Sequence, residues 1–199
     1  MTPVLGTLKK GLVFVVSAPA GTGKTTLVKR LMAEFPEVVL NISFTTRAPR
    51  EGEVEGQDYH FVSEAKFAEK ILASEFLEYV KLYDTYYGSS LNWIAEQRQL
   101  GRHVFLVIDT QGAMQIKEHL DAVFIFIRPP SLEILRERLV GRKTESETMV
   151  QKRIEWAEQE LRVADQYDYQ ILNEDLETAY QVLRSILIAA CHRTAATSW

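Results

Sequence analysis

Apolar runs alternate with amphipathic helical patterns from one end of the chain to the other. Four apolar runs predict strands, at 11–18, 103–109, 122–127 and 169–172. Helices are predicted between and after them, over 24–35, 131–141, about 149–166 and from about 175 onward. Strands that alternate with helices favour a mostly parallel sheet covered by helices on both faces, which is an α/β fold.

The spacing of apolar residues also predicts which helix positions are buried. These are Leu27, Leu31 and Met32 in the first helix, Val150, Ile154, Ala157, Leu161 and Ala164 in the long helix, and Leu176, Ala179, Leu183, Ile186 and Ala190 in the last. The helix over 131–141 has Ser131 as a favourable N-cap and ends at a glycine.

Two regions interrupt the alternation. Residues 41–90 are rich in Thr, Tyr, Gly and charge, with strand patterns around 59–62 and 76–82 and a short helix near 64–73, so they predict a small inserted lobe. Residues 141–149 are polar and have no apolar face, which predicts a mobile flap between two helices.

Composition restricts the function classes. A chain of 199 residues fits one compact domain, and its net charge of −4 argues against general nucleic-acid binding. No apolar stretch approaches the ~18 residues of a membrane span, the N-terminus fits a strand better than a signal peptide, and the single cysteine favours a reducing compartment, so a cytoplasmic protein is predicted. The four histidines are scattered without ligand spacing, and no transition-metal site is predicted.

The stretch VVSAPAGTGKTTL, residues 15–27, predicts a phosphate loop. Here a buried strand enters a glycine-rich turn that opens a helix, an arrangement whose backbone N–H groups converge on an anion. Lys24 would add charge at the β- and γ-phosphates, and the Thr25 hydroxyl could bind Mg²⁺. The predicted ATP-binding residues are Ala18, Pro19, Ala20, Gly21, Thr22, Gly23, Lys24, Thr25 and Thr26. The alternative is a plain strand-to-helix turn with a surface lysine.

A kinase also needs a second anion site that faces the first, whereas a GTPase or motor needs a positioned water and switch loops. Arg47 and Arg50 lie three residues apart, with Ser43 and Tyr59 nearby in the sequence. Two guanidinium groups with hydroxyls could clamp a monophosphate, because guanidinium binds phosphate oxygens in a fork. Taken alone, these residues are equally compatible with a solvated loop.

The chain resembles the guanylate kinase family. The resemblance is carried, in order along the chain, by GLVFVVSAPAGTGKTTL, SFTTRAPREGE, GQDYHFV, FLEYV, YYGSS, VIDTQGA, RPPS, RLVGRKTES and LNEDLETA. It implies one domain over 1–199 of the phosphate-loop (P-loop) NTPase type. The implied parts are a core of 1–42, 90–137 and 166–199, an α+β monophosphate-binding lobe at about 43–89, and a helical lid at about 138–165.

The resemblance also implies roles for individual residues. The GMP phosphate would be held by Ser43, Arg47, Arg50, Tyr59 and Tyr87. Glu78 and Ser89 would contact the guanine edge, and Asp109 would lie near the nucleotide. The cations at the transferring phosphoryl group would be Lys24, Arg47, Arg138, Arg142 and Arg153, and Asn173 would contact the adenine of ATP. The family commonly has two acids near Asp109, but here the first is Val107.

The implied reaction is Mg²⁺-dependent transfer of the ATP γ-phosphoryl group to GMP or dGMP, giving ADP and GDP. Positioning and charge neutralisation would carry the rate, because phosphoryl transfer leaves little covalent work for side chains. Two alternatives stay open: a catalytically inactive protein-interaction module of the same fold, and a phosphate-loop kinase with another acceptor. The sequence does not indicate the oligomeric state.

Overall fold

The computed structural model describes residues 4–6, 8–82, 84–141 and 147–194. Its strands are β1 (Val13–Ser17), β2 (Val38–Leu40), β3 (Phe44–Thr45), β4 (His60–Phe61), β5 (Phe76–Leu82), β6 (Thr85–Ser90), β7 (His103–Val107), β8 (Val123–Arg128) and β9 (Tyr169–Leu172). Its helices are α1 (Lys24–Glu34), α2 (Glu64–Leu72), α3 (Leu91–Gln99), α4 (Thr110–Ile116), α5 (Leu132–Val140), α6 (Glu147–Arg162) and α7 (Leu176–Cys191), with a 3-10 turn at Ala164–Gln166.

A five-stranded parallel sheet forms the centre, in the order β2-β7-β1-β8-β9. All residues of β1 are buried, as expected for a central strand covered on both faces. The side chains of a strand alternate between faces, so Phe14 and Val16 pack against α1 and α7, whereas Val13 and Val15 pack on the side of α3 and α4. This confirms the predicted α/β fold.

Most helix positions predicted to be buried are buried, but Leu161 and Ala190 are half-buried and two others are exposed. Met32 is 37% exposed and Leu176 is 38% exposed. In α1 the buried face is formed by Leu27, Val28 and Leu31, so Met32 points away from the sheet. Leu176 is the first residue of α7 and lies beside the phosphate loop, close to Gly23, rather than over the sheet.

Residues 44–90 form a second, four-stranded sheet in the order β4-β3-β6-β5, packed on α2. Phe67 of α2 is buried and stacks on Phe76 and Tyr86, with ring centroids 4.5 and 5.3 Å apart. The strand patterns at 59–62 and 76–82 and the helix at 64–73 are therefore confirmed. The exact bounds of core, lobe and lid stay a prediction.

Helices α5 and α6 form a third packing unit that borders the phosphate loop. Leu135 and Leu139 of α5 pack with Val150 and Ile154 of α6, and Ala20 of the loop contacts this cluster. The far end of α6 packs elsewhere, because Leu161 joins the cluster on the sheet's other face. The predicted flap and Arg142 fall largely on residues 142–146, outside the described residues.

Within the described ranges, no helix is both long and apolar enough to cross a bilayer.

Candidate active site

The phosphate loop connects β1 to α1 through two glycines with left-handed backbone angles. The φ angles of Gly21 and Gly23 are 91° and 90°, a region that other residues rarely adopt. Gly23 is the N-cap of α1 and has no side chain, so it leaves the N–H groups of the first turn uncapped. Those groups and the helix dipole make this turn suited to a phosphate.

Hydrogen bonds to nearby residues and to residues distant in the sequence hold the phosphate loop in place. The Thr22 hydroxyl donates to the Pro19 carbonyl at 2.8 Å, and the Asn173 amide donates to the Thr22 carbonyl at 2.6 Å. A Cβ atom at Gly23 would lie 2.9 Å from the same amide nitrogen. Arg138 in turn donates to the Asn173 carbonyl at 3.1 Å. Asn173 and Arg138 therefore brace the loop here, and their predicted contacts with ATP stay predictions.

Lys24 begins α1 and folds back over the loop. Its ammonium group donates to the carbonyls of Ala18 and Pro19. Both carbonyls belong to the loop itself, so phosphate oxygens can replace them as acceptors for the ammonium group without disturbing the sheet. The charge of Lys24 also acts on two carboxylates across the site, Asp109 and Glu160.

Opposite the loop, Arg47 is held by the carboxylate of Glu53. One guanidinium nitrogen donates to both carboxylate oxygens, at 2.8 and 2.9 Å, and the backbone N–H of Arg50 donates to the same carboxylate at 2.8 Å. The guanidinium carbon lies 5.4 Å from the Tyr59 ring centroid. Tyr59 meets Tyr87 edge-on, with centroids 5.9 Å apart. Arg47 and Arg50 thus form a cationic wall flanked by two phenols, an arrangement that favours the predicted clamp over the alternative of a solvated loop.

Glu78 is the buried acid of this wall. It is 4% exposed on β5 and faces Ser89 on β6, whose hydroxyl donates to Glu78 Oε1 at 2.6 Å. Asn41 donates to the Ser89 oxygen at 3.1 Å. Burial raises the pKa of Glu78 to about 7, and the negative charge of Asp109 adds to this. The Ser89 hydroxyl hydrogen is therefore donated to Glu78, and the predicted contact of Ser89 with a nucleotide base stays a prediction.

Glycine at position 112 leaves room for Glu78. A Cβ atom there would lie 2.5 Å from Glu78 Oε2, closer than two such atoms can approach. Gly112 belongs to α4, whose N-cap is Asp109; its Oδ1 accepts from the Gly112 N–H at 3.0 Å. Asp109 Oδ2 is buried and has no hydrogen-bond partner in the described part of the chain. Burial raises the pKa of Asp109.

These walls enclose one cavity of about 340 Å³. The predicted site residues that line it are Ala18, Ala20, Lys24, Thr25, Ser43, Arg47, Arg50, Tyr59, Glu78, Tyr87, Asp109 and Arg153. Other predicted residues lie behind or beside it, namely Pro19, Gly21, Thr22, Gly23, Thr26, Ser89, Arg138 and Asn173. Arg142 is outside the described residues. The structure thus brings the phosphate loop and the arginine wall to one cleft.

Sequence reasoning missed several lining residues, which are Glu53, Val80, Leu82, Val107, Ile108, Trp156 and Glu160. Glu53 stands in the quoted motif three residues after Arg50, a spacing that could have suggested an ion pair. Glu160 follows Arg153 and Trp156 on one side of α6, beside the apolar face, but periodicity alone does not reveal that this side faces a cavity.

The family profile described as "Guanylate kinase" matches residues 10–190. The guanylate kinase of Protochlamydia amoebophila is 64% identical over 185 residues, which cover 93% of this chain and 94% of that protein. The chain belongs to the guanylate kinase family. The guanylate kinase of Clostridioides difficile is 47% identical over 90% of this chain and 88% of its own length. A crystal structure of the guanylate kinase from Anaplasma phagocytophilum aligns with a TM-score of 0.77 at 33% identity, covering 94% of this chain and 89% of that one.

Membership of the guanylate kinase family confirms the predicted fold type and the prediction of an enzyme. The matched span, residues 10–190, includes the phosphate loop, the arginine wall and α6. The catalytically inactive interaction module is therefore not favoured.

Proposed function

We propose that this member of the guanylate kinase family transfers the γ-phosphoryl group of ATP to GMP or dGMP, with Mg²⁺, and releases ADP and GDP. One observation supports this most strongly: a single cavity has a phosphate loop on one wall and, on the other, two arginines beside a buried carboxylate. A hydrolase has no need of the second wall, whereas a kinase uses it to place the acceptor in line with the donor.

On the donor wall, the uncapped N–H groups of α1 and the Lys24 ammonium would bind the β- and γ-phosphates. Lys24 would exchange its contacts with the Ala18 and Pro19 carbonyls for contacts with phosphate oxygens. Because these donors are in place before reaction, they can stabilise charge in the transition state without reorganising.

On the acceptor wall, Arg47, Arg50, Tyr59 and Tyr87 would hold the monophosphate, with Ser43 beside them. Glu53 keeps the Arg47 guanidinium directed into the cavity while leaving other N–H groups to bind phosphate. Glu78 would accept from the guanine N1–H and 2-amino groups, which lie side by side. Adenine has no such pair of donors, so the buried carboxylate would be left unsatisfied against it.

The site's oxygen donors fit Mg²⁺. The Thr25 side chain lines the cavity, and Asp109 Oδ2 is buried without a hydrogen-bond partner among the described residues. Magnesium bound with ATP would neutralise charge on the phosphate oxygens. Arg153, and Arg142 beyond the described residues, would approach the phosphates from the lid side, and Asn173 would lie near the adenine. The division into core, lobe and lid, and a cytoplasmic location, belong to the same proposal.

Steady-state release of ADP, measured with GMP, dGMP, AMP, CMP, UMP or no acceptor, tests this function. We expect turnover with GMP to exceed turnover with AMP by up to ~10⁴-fold. Equal rates without acceptor would indicate a hydrolase. A preference for another monophosphate would indicate a phosphate-loop kinase of different specificity.

A further inference from the structure

Glu160 is a buried acid of the cavity that the proposed mechanism leaves unused. It lines the cavity from α6 and is only 6% exposed. The next residue, Leu161, packs with Ala164 and Tyr167 on the central sheet, so the backbone at Glu160 is fixed to the core. The part of α6 that carries this carboxylate is therefore anchored to the central sheet.

Burying a carboxylate is unfavourable unless a donor or a cation compensates it. Burial raises the pKa of Glu160 to about 7, Lys24 lowers it and Asp109 raises it, and no hydrogen bond contributes. Lys24 already donates to two loop carbonyls, and ATP would draw it to phosphate oxygens. Lys24 and Asp109 are thus the charged groups that act on Glu160. When ATP draws Lys24 away, a hydrated cation beside Glu160 would replace the compensation that Lys24 provides.

The neighbouring strand end supplies little negative charge of its own. Val107 and Ile108 present apolar surface to the cavity, and Asp109 is the carboxylate that follows them. Asp109 Oδ2 has no hydrogen-bond partner in the described part of the chain. Mg²⁺ at a nucleotide is usually bound through one or two carboxylates together with waters and phosphates. The buried carboxylate of Glu160 and the partly buried carboxylate of Asp109, from different elements, here share one cavity with the phosphate loop.

We propose that Glu160 is a positioning residue for the hydrated Mg²⁺ of the bound ATP, acting with Asp109 through the metal's water ligands. This inference rests on the proposed function, because it assumes that ATP enters with Mg²⁺. The apolar end of β7 explains why the second carboxylate comes from α6.

The test measures binding without turnover. The affinity of a non-hydrolysable ATP analogue is determined by calorimetry with and without Mg²⁺, for the wild type, Glu160→Gln and Glu158→Gln. Glu158 lies on the exposed side of α6, so Glu158→Gln makes the same charge change away from the cavity. We expect Glu160→Gln to reduce the Mg²⁺-dependent gain in affinity about tenfold, as removal of an outer-sphere group does. Affinity without Mg²⁺ should not fall, and Glu158→Gln should match the wild type.

The outcomes separate the two proposals. If the wild type gains no affinity from Mg²⁺, both this inference and the proposed role of Mg²⁺ are wrong. If the wild type gains affinity and Glu160→Gln gains as much, only the inference is wrong. A loss of Mg²⁺-free affinity would instead assign Glu160 to Lys24, and that result overturns the inference. Thermal unfolding of each variant confirms that it is folded.

Discussion

The two walls of the cavity are built in opposite ways. The phosphate loop is held mostly by contacts within a few residues, such as Thr22 to Pro19 and Lys24 to Ala18. The acceptor wall adds to the local contacts of Glu53 a set of contacts between distant segments: Ser89 joins Glu78 to Asn41, which lies 48 residues before Ser89. The loop is a local motif that can be recognised from a short stretch of sequence, whereas the acceptor wall exists only once the second sheet has formed.

The walls also differ in what burial does to their charges. The loop offers backbone dipoles and one lysine, whose ammonium group is partnered by loop carbonyls. The acceptor wall buries Glu78 almost completely and raises its pKa to about 7. In the proposed function, donor binding would therefore rely on preformed local geometry, and acceptor selection would rely on a buried carboxylate that a matching base stabilises further.

The largest effect should come from the donor wall. Lys24→Ala should lower kcat about 1000-fold, or about 4 kcal/mol, because charge on the transferring phosphoryl group is left uncompensated. Stability should change little, since the Lys24 side chain bonds to its own loop. Lys29→Ala, an exposed lysine of the same helix, is the matched control and should keep wild-type turnover. Wild-type turnover by a folded Lys24→Ala protein would remove Lys24 from the catalytic machinery.

The next effect concerns the cost of burying Glu78. Its folded pKa of about 7 lies above the reference value of 4.5, so the unfolded chain loses the proton first as the pH rises. As the pH rises from 4.5 to 7, the free energy of unfolding of the wild type should fall by about 3 kcal/mol relative to that of Glu78→Gln. The full difference should persist above pH 7. Denaturant unfolding at pH 5 and pH 8 measures this. Glu51→Gln, at an exposed position, should show no such difference, and parallel pH profiles for the wild type and Glu78→Gln would contradict the argument.

A smaller effect is expected from the cationic side of the acceptor wall. Arg47→Lys keeps the charge but loses the fork that engages Glu53 and a phosphate together. We expect kcat/KM for GMP to fall about 30-fold, or about 2 kcal/mol, with KM for ATP unchanged. Arg162→Lys at the exposed end of α6 serves as control. An equal loss of apparent affinity for ATP would show that the two walls are not independent.

The smallest effect should be on base recognition. Glu78→Gln places an NH₂ donor against a donor of guanine, and should lower kcat/KM for GMP at least ~10-fold, or about 1.4 kcal/mol. Discrimination against AMP should weaken, and KM for ATP should hardly change. Full GMP efficiency and unchanged discrimination would mean that guanine is selected elsewhere.

The sequence was sufficient where structure is local. The buried strands, the helices that flank them and the phosphate loop follow from apolar periodicity and glycine placement, and the structure has them at the predicted positions. The strand β2 was missed because three residues carry too little periodicity, and α3 because it buries only Ile94 and Gln97.

The residues of the acceptor wall suggested a phosphate clamp but left a solvated loop open, and the resemblance to a family favoured the clamp without revealing every contact. The hydrogen bond from Ser89 to Glu78 and the burial of Glu160 depend on contacts between elements that no local pattern encodes. The pairing of Glu53 with Arg47 is local and was overlooked. The predicted burial of Met32 and Leu176 was wrong for a related reason. The neighbouring layer of the fold decides which edge of an apolar helix face is covered.

Gly112 limits how this enzyme can diverge. Any other side chain at that position would displace the carboxylate that is proposed to select the base, although residue 112 itself is not among those that line the cavity. A substitution at position 78 alone, made to change the base preference, must therefore fit a space shaped for glutamate. A larger replacement has no room, and a smaller one leaves a gap that a substitution at position 112 could fill. Positions 78 and 112 are therefore sterically coupled. A library that varies both together should reach base specificities that single substitutions cannot.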